Sequence, residues 1–221
     1  MATVMDIISE AALREPVMRS LRQCRPSPEA DEPGEDRLMS SGVSWDGYLA
    51  LDEALGDDRA SPRLYWFDGM VEIMSTSSKH EELKKWIADL MAQYFIARRI
   101  RAYPRGQATI KKLKEAGAGP DESWTFGERK EVPDLVLEIA LTSGGLPKLE
   151  IYQRFAVPEV WFWRKDQLEV WTLDQGAGSY SGPHAVSRLL PGLPLRSLAE
   201  CAMIPDWMEA ILKFGEAVKA D

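Results

Sequence analysis

The stretch PDLVLEIALTSGGLPKLEIY, residues 133–152, constrains the fold more than any other part of the chain. Its first half is an apolar run that predicts a buried strand, with Asp134 at the start and Glu138 in the interior. Its second half predicts a short helix, with Pro147 early, where proline is tolerated, and Lys148 in the first turn. Burying a charged side chain in an apolar strand costs free energy unless the charge has a partner or a function. This stretch is therefore a candidate functional site.

The order of predicted elements around this stretch indicates a mixed α/β (α+β) fold with helices packed on a sheet. SWDGYLALDEAL predicts a helix capped by Ser44, and Asp68-Gly69 marks a tight hairpin turn. A long amphipathic helix follows, capped by Ser77 or Ser78. The remaining predicted elements are a strand near 102–111, a glycine-rich loop and strand in GAGPDESWTF, the strand and helix of 133–152, a hairpin turning at 165–167 and a closing helix near the end.

Two parts of the chain differ in composition. Residues 1–42 combine a short helical pattern with a proline-rich acidic linker, and residues 43–221 form the predicted globular domain. The start of the chain lacks the pattern of a secretory signal, and no run of eighteen apolar residues predicts a membrane span. Two cysteines, Cys24 and Cys201, in unlike contexts favour a reducing compartment, so a cytoplasmic location is expected.

The formal net charge of −8 argues against non-specific binding of polyanions by the whole surface. A local basic segment at 97–114 is compatible with this negative net charge. This segment predicts either a solvated helix end and strand edge or a nucleic-acid contact. Its candidate contact residues are Arg98, Arg99, Arg101, Arg105, Lys111 and Lys112.

The GERKE turn at 127–131 predicts how the acidic residues pair. An antiparallel hairpin centred near Arg129 brings Asp121 opposite Leu137 or Glu138, and Asp134 opposite Trp124. Two adjacent carboxylates repel each other unless a cation compensates them, and oxygen ligands favour Mg²⁺ or Mn²⁺. Lys148 in a first helical turn opposes the helix dipole, which an anionic partner nearby would explain.

An Asp, a Glu and a Lys on a hairpin and the adjoining helix resemble the PD-(D/E)XK nuclease superfamily. The segments YWFDGMVEIMSTSSKHEEL, GPDESW, PDLVLEIALTSGG, KLEIYQRFAVPEVWFW and LPGLPL resemble the Uma-two family, a bacterial group of restriction-like endonucleases. The resemblance runs from about Val43 to Leu195 or beyond. It implies a restriction-endonuclease-like core, in which a central mixed β-sheet is flanked by helices.

The resemblance also implies a function, Mg²⁺-dependent (or Mn²⁺-dependent) hydrolysis of DNA phosphodiester bonds. Asp121 and Glu138 would hold the metal together with the backbone carbonyl of Ile139. The superfamily lysine two residues after the glutamate is absent, because Ala140 stands there, and Lys148 would take its place. DNA is the expected substrate and a homodimer is the expected assembly. A catalytically inactive DNA-binding or regulatory protein on the same fold is the alternative, and a metal-dependent hydrolase of another phosphate ester is a weaker one.

Secondary candidates each have a plainer structural interpretation. Glu72 is either an additional acidic site residue or a solvent-facing strand residue. His80 either contacts the site or a substrate phosphate, or is a partly buried histidine. Asp134 is ranked behind Asp121 and is otherwise a turn or cap residue, and Tyr152, on the helix face of Lys148, is otherwise a packing residue. No phosphate-binding loop, dinucleotide fingerprint or nucleophile elbow is present.

Overall fold

The computed structural model describes residues 37–56, 62–141 and 145–220. The predicted N-terminal helix and most of the linker lie outside these ranges. The helices are α1 (Trp45–Leu55), α2 (Ser78–Ala97), α3 (Lys148–Arg154), α4 (Leu195–Ala202) and α5 (Trp207–Ala220). The strands are β1 (Arg37–Ser41), β2 (Arg63–Phe67), β3 (Met70–Met74), β4 (Ala102–Pro104), β5 (Ile110–Lys112), β6 (Ala116–Ala118), β7 (Glu122–Phe126), β8 (Leu135–Ile139), β9 (Glu159–Arg164), β10 (Gln167–Asp174) and β11 (Ser179–His184).

These elements form two compact units, and the predicted mixed α/β class is confirmed. Unit 1 comprises the described residues up to Ser78 together with 109–119 and 145–155. Its five-stranded sheet has the order β1-β3-β2-β6-β5. Unit 2 comprises 79–108, 120–141 and 156–220, and its six-stranded sheet has the order β11-β10-β9-β8-β7-β4.

The core of unit 1 forms where α1 packs on its sheet. Ser44 caps the helix as predicted, since its hydroxyl accepts the Gly47 N–H at 3.1 Å. Tyr48 packs among Trp45 and Trp66 and also against β6, where a Cβ on Gly117 would overlap its ring. A strand of alanine and glycine therefore fits beneath the tyrosine, although these small residues had predicted a loop.

The core of unit 2 forms between α2 and one face of the six-stranded sheet. The helical spacing of α2 predicts a buried stripe. Five of its residues are buried, and Trp86 is only partly buried; the five are Leu83, Ile87, Leu90, Met91 and Tyr94. Leu135, Leu137 and Ile139 of β8 belong to the same cluster. By the alternation of a strand, Glu138 points to the opposite face of the sheet.

Strand β8 lies inside the sheet, antiparallel to β7 and parallel to β9. All five of its residues are buried, which explains why its sequence is an apolar run rather than an alternating pattern. Glu138 is only 4% exposed at this position.

Two further strands differ from the sequence expectation. β1 begins at Arg37, inside the range assigned to the extension, and pairs with β3 because Leu38 and Ser40 alternate inward. β11 pairs with β10 although its sequence, SYSGPH, is polar and largely exposed, as suits an edge strand.

Within the described ranges, no helix has both the length and the hydropathy that crossing a membrane requires.

Candidate active site

The register of the β7–β8 hairpin brings Asp121 and Glu138 together. Glu122 pairs with Leu137 and Trp124 with Leu135, so one further step places Asp121 opposite Glu138. Side chains directly opposite each other on antiparallel strands have Cβ atoms about 5 Å apart. Of the two alternatives that the sequence left open for Asp121, the structure has the one opposite Glu138.

Asp121 is fully buried and fixed by contacts to both carboxylate oxygens. Its Oδ2 accepts the backbone N–H of Ile139 at 2.6 Å. Its Oδ1 lies 3.0 Å from Nε2 of His80, which is also fully buried in the first turn of α2. The carboxylate is therefore tied to the end of β8 beside Glu138.

The N–H and the carbonyl of Ile139 both face the side of β8 on which Asp121 lies. In a strand, the N–H and the C=O of one residue point toward the same neighbour. The Ile139 N–H points to Asp121, whereas the next N–H, from Ala140, is donated to Trp163 of β9 at 2.9 Å. The Ile139 carbonyl is therefore directed toward the Asp121 side of β8.

This donor set suits a hard divalent cation, because carboxylate and carbonyl oxygens are the ligands that Mg²⁺ and Mn²⁺ prefer. Among the described residues, no group of three or more His, Cys, Asp or Glu side chains is arranged to hold a metal by itself. Magnesium sites with one or two protein carboxylates fill their remaining positions with water and substrate phosphate oxygens. The residues present fit a site of that kind.

Lys148 and Glu72 form an ion pair within unit 1. Glu72 is fully buried in β3, and its Oε1 lies 3.1 Å from the Lys148 ammonium. Its Oε2 accepts the backbone N–H of Leu146 at 2.5 Å, and the Arg37 guanidinium approaches at 3.6 Å. Lys148 also lies over the ring of Tyr65. Glu72 is therefore not solvent-facing: it anchors the lysine and the segment that starts α3.

The loop before α3 is shaped for this carboxylate. Gly145 has a φ of +93°, and a Cβ there would lie 2.6 Å from Glu72 Oε2. A glycine meets both the left-handed backbone and the close approach. Arg37 is the partner that sequence reasoning missed, because it lies in a range assigned to a linker and carries no motif.

Replacing Glu72 by glutamine is expected to lower the free energy of unfolding by about 3 kcal/mol, because two cations would lose a buried anion. Urea denaturation measures this change. Glu200→Gln is the matched control, since its pair with Arg196 is exposed and should change stability by less than about 0.5 kcal/mol. Equal effects in the two variants would contradict the structural role of Glu72.

Asp134 lies at the hairpin and not beside Glu138. Its backbone N–H is donated to the Trp124 carbonyl, and its carboxylate accepts the Phe126 N–H at 2.7 Å and pairs with Lys130 at 2.8 Å. The register of the β7–β8 hairpin differs by one residue from the predicted register, because Trp124 faces Leu135 and not Asp134.

Tyr152, in α3, is fully buried, as a packing residue would be.

Most of the candidate nucleic-acid contacts make intramolecular bonds. Arg98 donates to the Val218 carbonyl, Arg105 to the Lys130 carbonyl and Lys112 to the Arg154 carbonyl, while Lys111 pairs with buried Asp52. Arg99 and Arg101 are exposed and line a groove in unit 2. A nucleic-acid contact by these two arginines stays a prediction.

A cysteine nucleophile is disfavoured at Cys201, because burial raises the pKa of its thiol and leaves less of the reactive thiolate. Cys24 lies outside the described residues.

Comparison with known families places the chain in one of them. The family model Uma2, described as "Putative restriction endonuclease", matches residues 45–200. The chain belongs to the Uma2 family. The resemblance to the Uma-two family found in the sequence is thereby confirmed.

A solved structure similar to this Uma2 protein is described as a putative nuclease belonging to DUF820 from Anabaena variabilis ATCC 29413. It is 14% identical, and the alignment covers 78% of this chain and 99% of that chain with a TM-score of 0.47. No curated protein matches the chain.

Proposed function

We propose that this Uma2 protein is a metal-dependent nuclease that hydrolyses phosphodiester bonds of DNA. The observation that carries the proposal is the pair of buried carboxylates, Asp121 directly before β7 and Glu138 in β8, with the Ile139 carbonyl directed to the same side. Membership of a family described as "Putative restriction endonuclease" supports DNA as the substrate. Mg²⁺ or Mn²⁺ is the cation that these oxygen ligands favour.

The chain's own residues would perform binding and orientation. Asp121 and Glu138 would hold the cation, and the Ile139 N–H would orient the Asp121 carboxylate. When bound, a divalent cation polarises the phosphate and lowers the pKa of a bound water. The burial of both carboxylates strengthens their electrostatic attraction to a cation relative to bulk water.

The proposed role of Lys148 in hydrolysis rests on the sequence resemblance. We propose that its ammonium neutralises charge that develops on the phosphate or positions the attacking water. Its pairing with Glu72 would keep the side chain ordered. A homodimer, expected from the same resemblance, and a cytoplasmic location also remain predictions.

The alternative is a DNA-binding or regulatory protein without catalytic activity. Two observations favour it: Ala140 occupies the usual lysine position, and the ammonium of Lys148 is engaged by a buried carboxylate. Such a protein would bind DNA in the same way with and without a divalent cation.

Nicking of supercoiled plasmid DNA separates these functions. The wild-type protein is expected to nick plasmid with Mg²⁺ or Mn²⁺ and to stop when EDTA is added. Glu138→Ala is expected to reduce the nicking rate at least 100-fold, because a ligand to the cation is lost. Glu128→Gln, an exposed carboxylate in the turn between β7 and β8, is the control and should cleave at the wild-type rate.

Cleavage that survives unchanged in Glu138→Ala would refute the proposed site. Absence of cleavage by the wild type on duplex, nicked and single-stranded DNA with both cations would refute the nuclease and favour the inactive alternative.

A further inference from the structure

The hairpin of β5 and β6 in unit 1 ends in an exposed turn at residues 113–115. β5 is the edge strand of its sheet, and all residues from Lys111 to Glu115 are exposed. The backbone N–H of Glu115 closes the turn, since it is donated to the Lys112 carbonyl at 2.9 Å. We refer to residues 111–115 as the hairpin tip. A large partner can reach this tip from the edge of the sheet.

The hairpin tip has an apolar side chain at its apex. Leu113 is 72% exposed and stands between Lys112 and Lys114 in the chain. A single exposed leucine is ordinary on a protein surface and means little alone. An exposed leucine flanked by two cations, however, suits a partner that offers an apolar contact and negative charges together.

Two lysines of the tip fix the hairpin to its surroundings. Lys111 pairs with buried Asp52 of α1. Lys112 pairs with Glu115 at 2.9 Å and donates to the backbone carbonyl of Arg154 at 2.9 Å. These bonds hold the tip beside the end of α3 and neutralise both lysines.

The other two basic groups at the tip are Lys114 and Arg154. Both are exposed, and neither has a carboxylate partner within the described ranges. The Arg154 guanidinium lies over the ring of Phe67, 5.6 Å from its centroid. The tip therefore carries an excess of two positive charges on a chain whose net charge is −8.

The backbone at Lys114 is unusual for a lysine. Its φ is +56°, in the left-handed region that residues other than glycine, asparagine and aspartate seldom adopt. Glycine would be the least strained residue at this position. A lysine in a conformation that favours glycine indicates a role for its charge.

We propose that the hairpin tip contacts DNA, with Leu113 packed against the bases and Lys114 and Arg154 bound to backbone phosphates. Proteins that bend DNA insert apolar side chains, leucine among them, between base steps and hold the duplex with basic side chains. The choice of DNA as the polyanion rests on the proposed function. The contact itself adds a surface of unit 1 to the carboxylates of unit 2.

An anionic membrane carries the same charge as DNA but suits the tip less well. A whole myristoyl chain gives only marginal membrane binding, and one leucine buries far less apolar surface than that chain. A wedge between base steps, in contrast, can consist of a single apolar side chain. One leucine with two cations therefore favours DNA.

Fluorescence anisotropy of a labelled DNA duplex, in EDTA and again with Ca²⁺, tests the contact through binding rather than cleavage. Leu113→Ser is expected to raise the Kd about tenfold. The slope of log Kd against log salt concentration should stay unchanged, because no charge is lost. Leu212→Ser is the control, since Leu212 is a 63% exposed leucine of α5, and it should bind as the wild type does.

The charge of Lys114 is tested by the salt dependence of the same binding. Lys114→Gln is expected to weaken binding and to reduce the salt slope by about 1, because one phosphate contact is lost. Lys114→Arg keeps the charge and should keep the slope. Lys213→Gln removes an exposed lysine of α5 and should leave the slope unchanged. Circular dichroism spectra identical to the wild type would show that the variants are folded.

The outcomes separate this contact from the proposed nuclease activity. Wild-type Kd and slope in both Leu113→Ser and Lys114→Gln would overturn the contact, whether or not the protein cleaves DNA. Binding that depends on the tip, in a protein that cleaves no DNA, would support the contact and refute only the nuclease. A wild type that binds no DNA would overturn the contact. Binding to phosphatidylserine vesicles that depends on Leu113, without such dependence for DNA, would overturn it in favour of a membrane.

Discussion

Replacing Asp121 by asparagine is expected to reduce metal-dependent DNA cleavage about 10³-fold, equivalent to about 4 kcal/mol of transition-state stabilisation. Asparagine has nearly the same shape, and its side-chain oxygen can still accept the Ile139 N–H that Asp121 accepts at 2.6 Å. The fold should therefore persist while the charge is lost. A neutral amide oxygen is a weaker ligand than a carboxylate for a hard cation.

Metal affinity gives a second measurement that does not require cleavage. Titration of Mn²⁺, followed by electron paramagnetic resonance of the free ion, should show at least tenfold weaker binding to Asp121→Asn than to the wild type. Glu131→Gln changes an exposed carboxylate in the turn between β7 and β8 and serves as the control for loss of one negative charge. If both variants bind Mn²⁺ as the wild type does, Asp121 is not a metal ligand.

Replacing Glu159 by alanine is expected to lower the free energy of unfolding by about 3–5 kcal/mol, the largest stability effect that we predict. Glu159 is fully buried at the start of β9 and accepts four hydrogen bonds. Its donors are Trp161 Nε1 at 3.0 Å, the Ser187 hydroxyl at 2.7 Å, and the backbone N–H groups of Arg188 and Leu189 at 2.5 and 3.0 Å.

The expected loss of stability in Glu159→Ala comes mainly from hydrogen-bond donors left without an acceptor, and only in part from the smaller side-chain volume. Alanine would leave the buried Trp161 and Ser187 donors and the partly buried Arg188 and Leu189 N–H groups without their acceptor, and it would release the segment near 187–190 from β9. Urea unfolding measures the loss. Glu169→Ala in β10 is the control, because its pair with Arg164 is partly exposed and should contribute less than about 1 kcal/mol. A Glu159→Ala variant as stable as that control would contradict the anchoring role.

The sequence alone determined the local structure of this protein where short-range rules dominate. Ser44 predicted a cap, Asp68-Gly69 a tight turn, and the spacing from Leu83 to Tyr94 a buried helix face. Both turn residues have the positive φ that such a hairpin needs, 48° and 76°. The family was also evident from several motifs, and the Uma2 model matches residues 45–200, the range that contains them.

Some boundaries could not be predicted, because they depend on what packs against them. β6 contains only small residues and is a strand because Tyr48 covers it and β2 pairs with it. β1 follows a linker-like composition and is held by β3. In both cases the partner strand is distant in sequence, so no local pattern contains the information.

The acidic residues show the same division between what the sequence predicts and what the tertiary structure decides. Alternation and the short turn were enough to predict that Asp121, not Asp134, is the partner of Glu138. Only the tertiary structure decided the register to one residue, the burial of His80 beside Asp121 and the pairing of Glu72 with Lys148 and Arg37. The physical reason is that a carboxylate's role depends on its neighbours in space, and for Glu72 these come from positions 37, 146 and 148, which only the folded chain brings together.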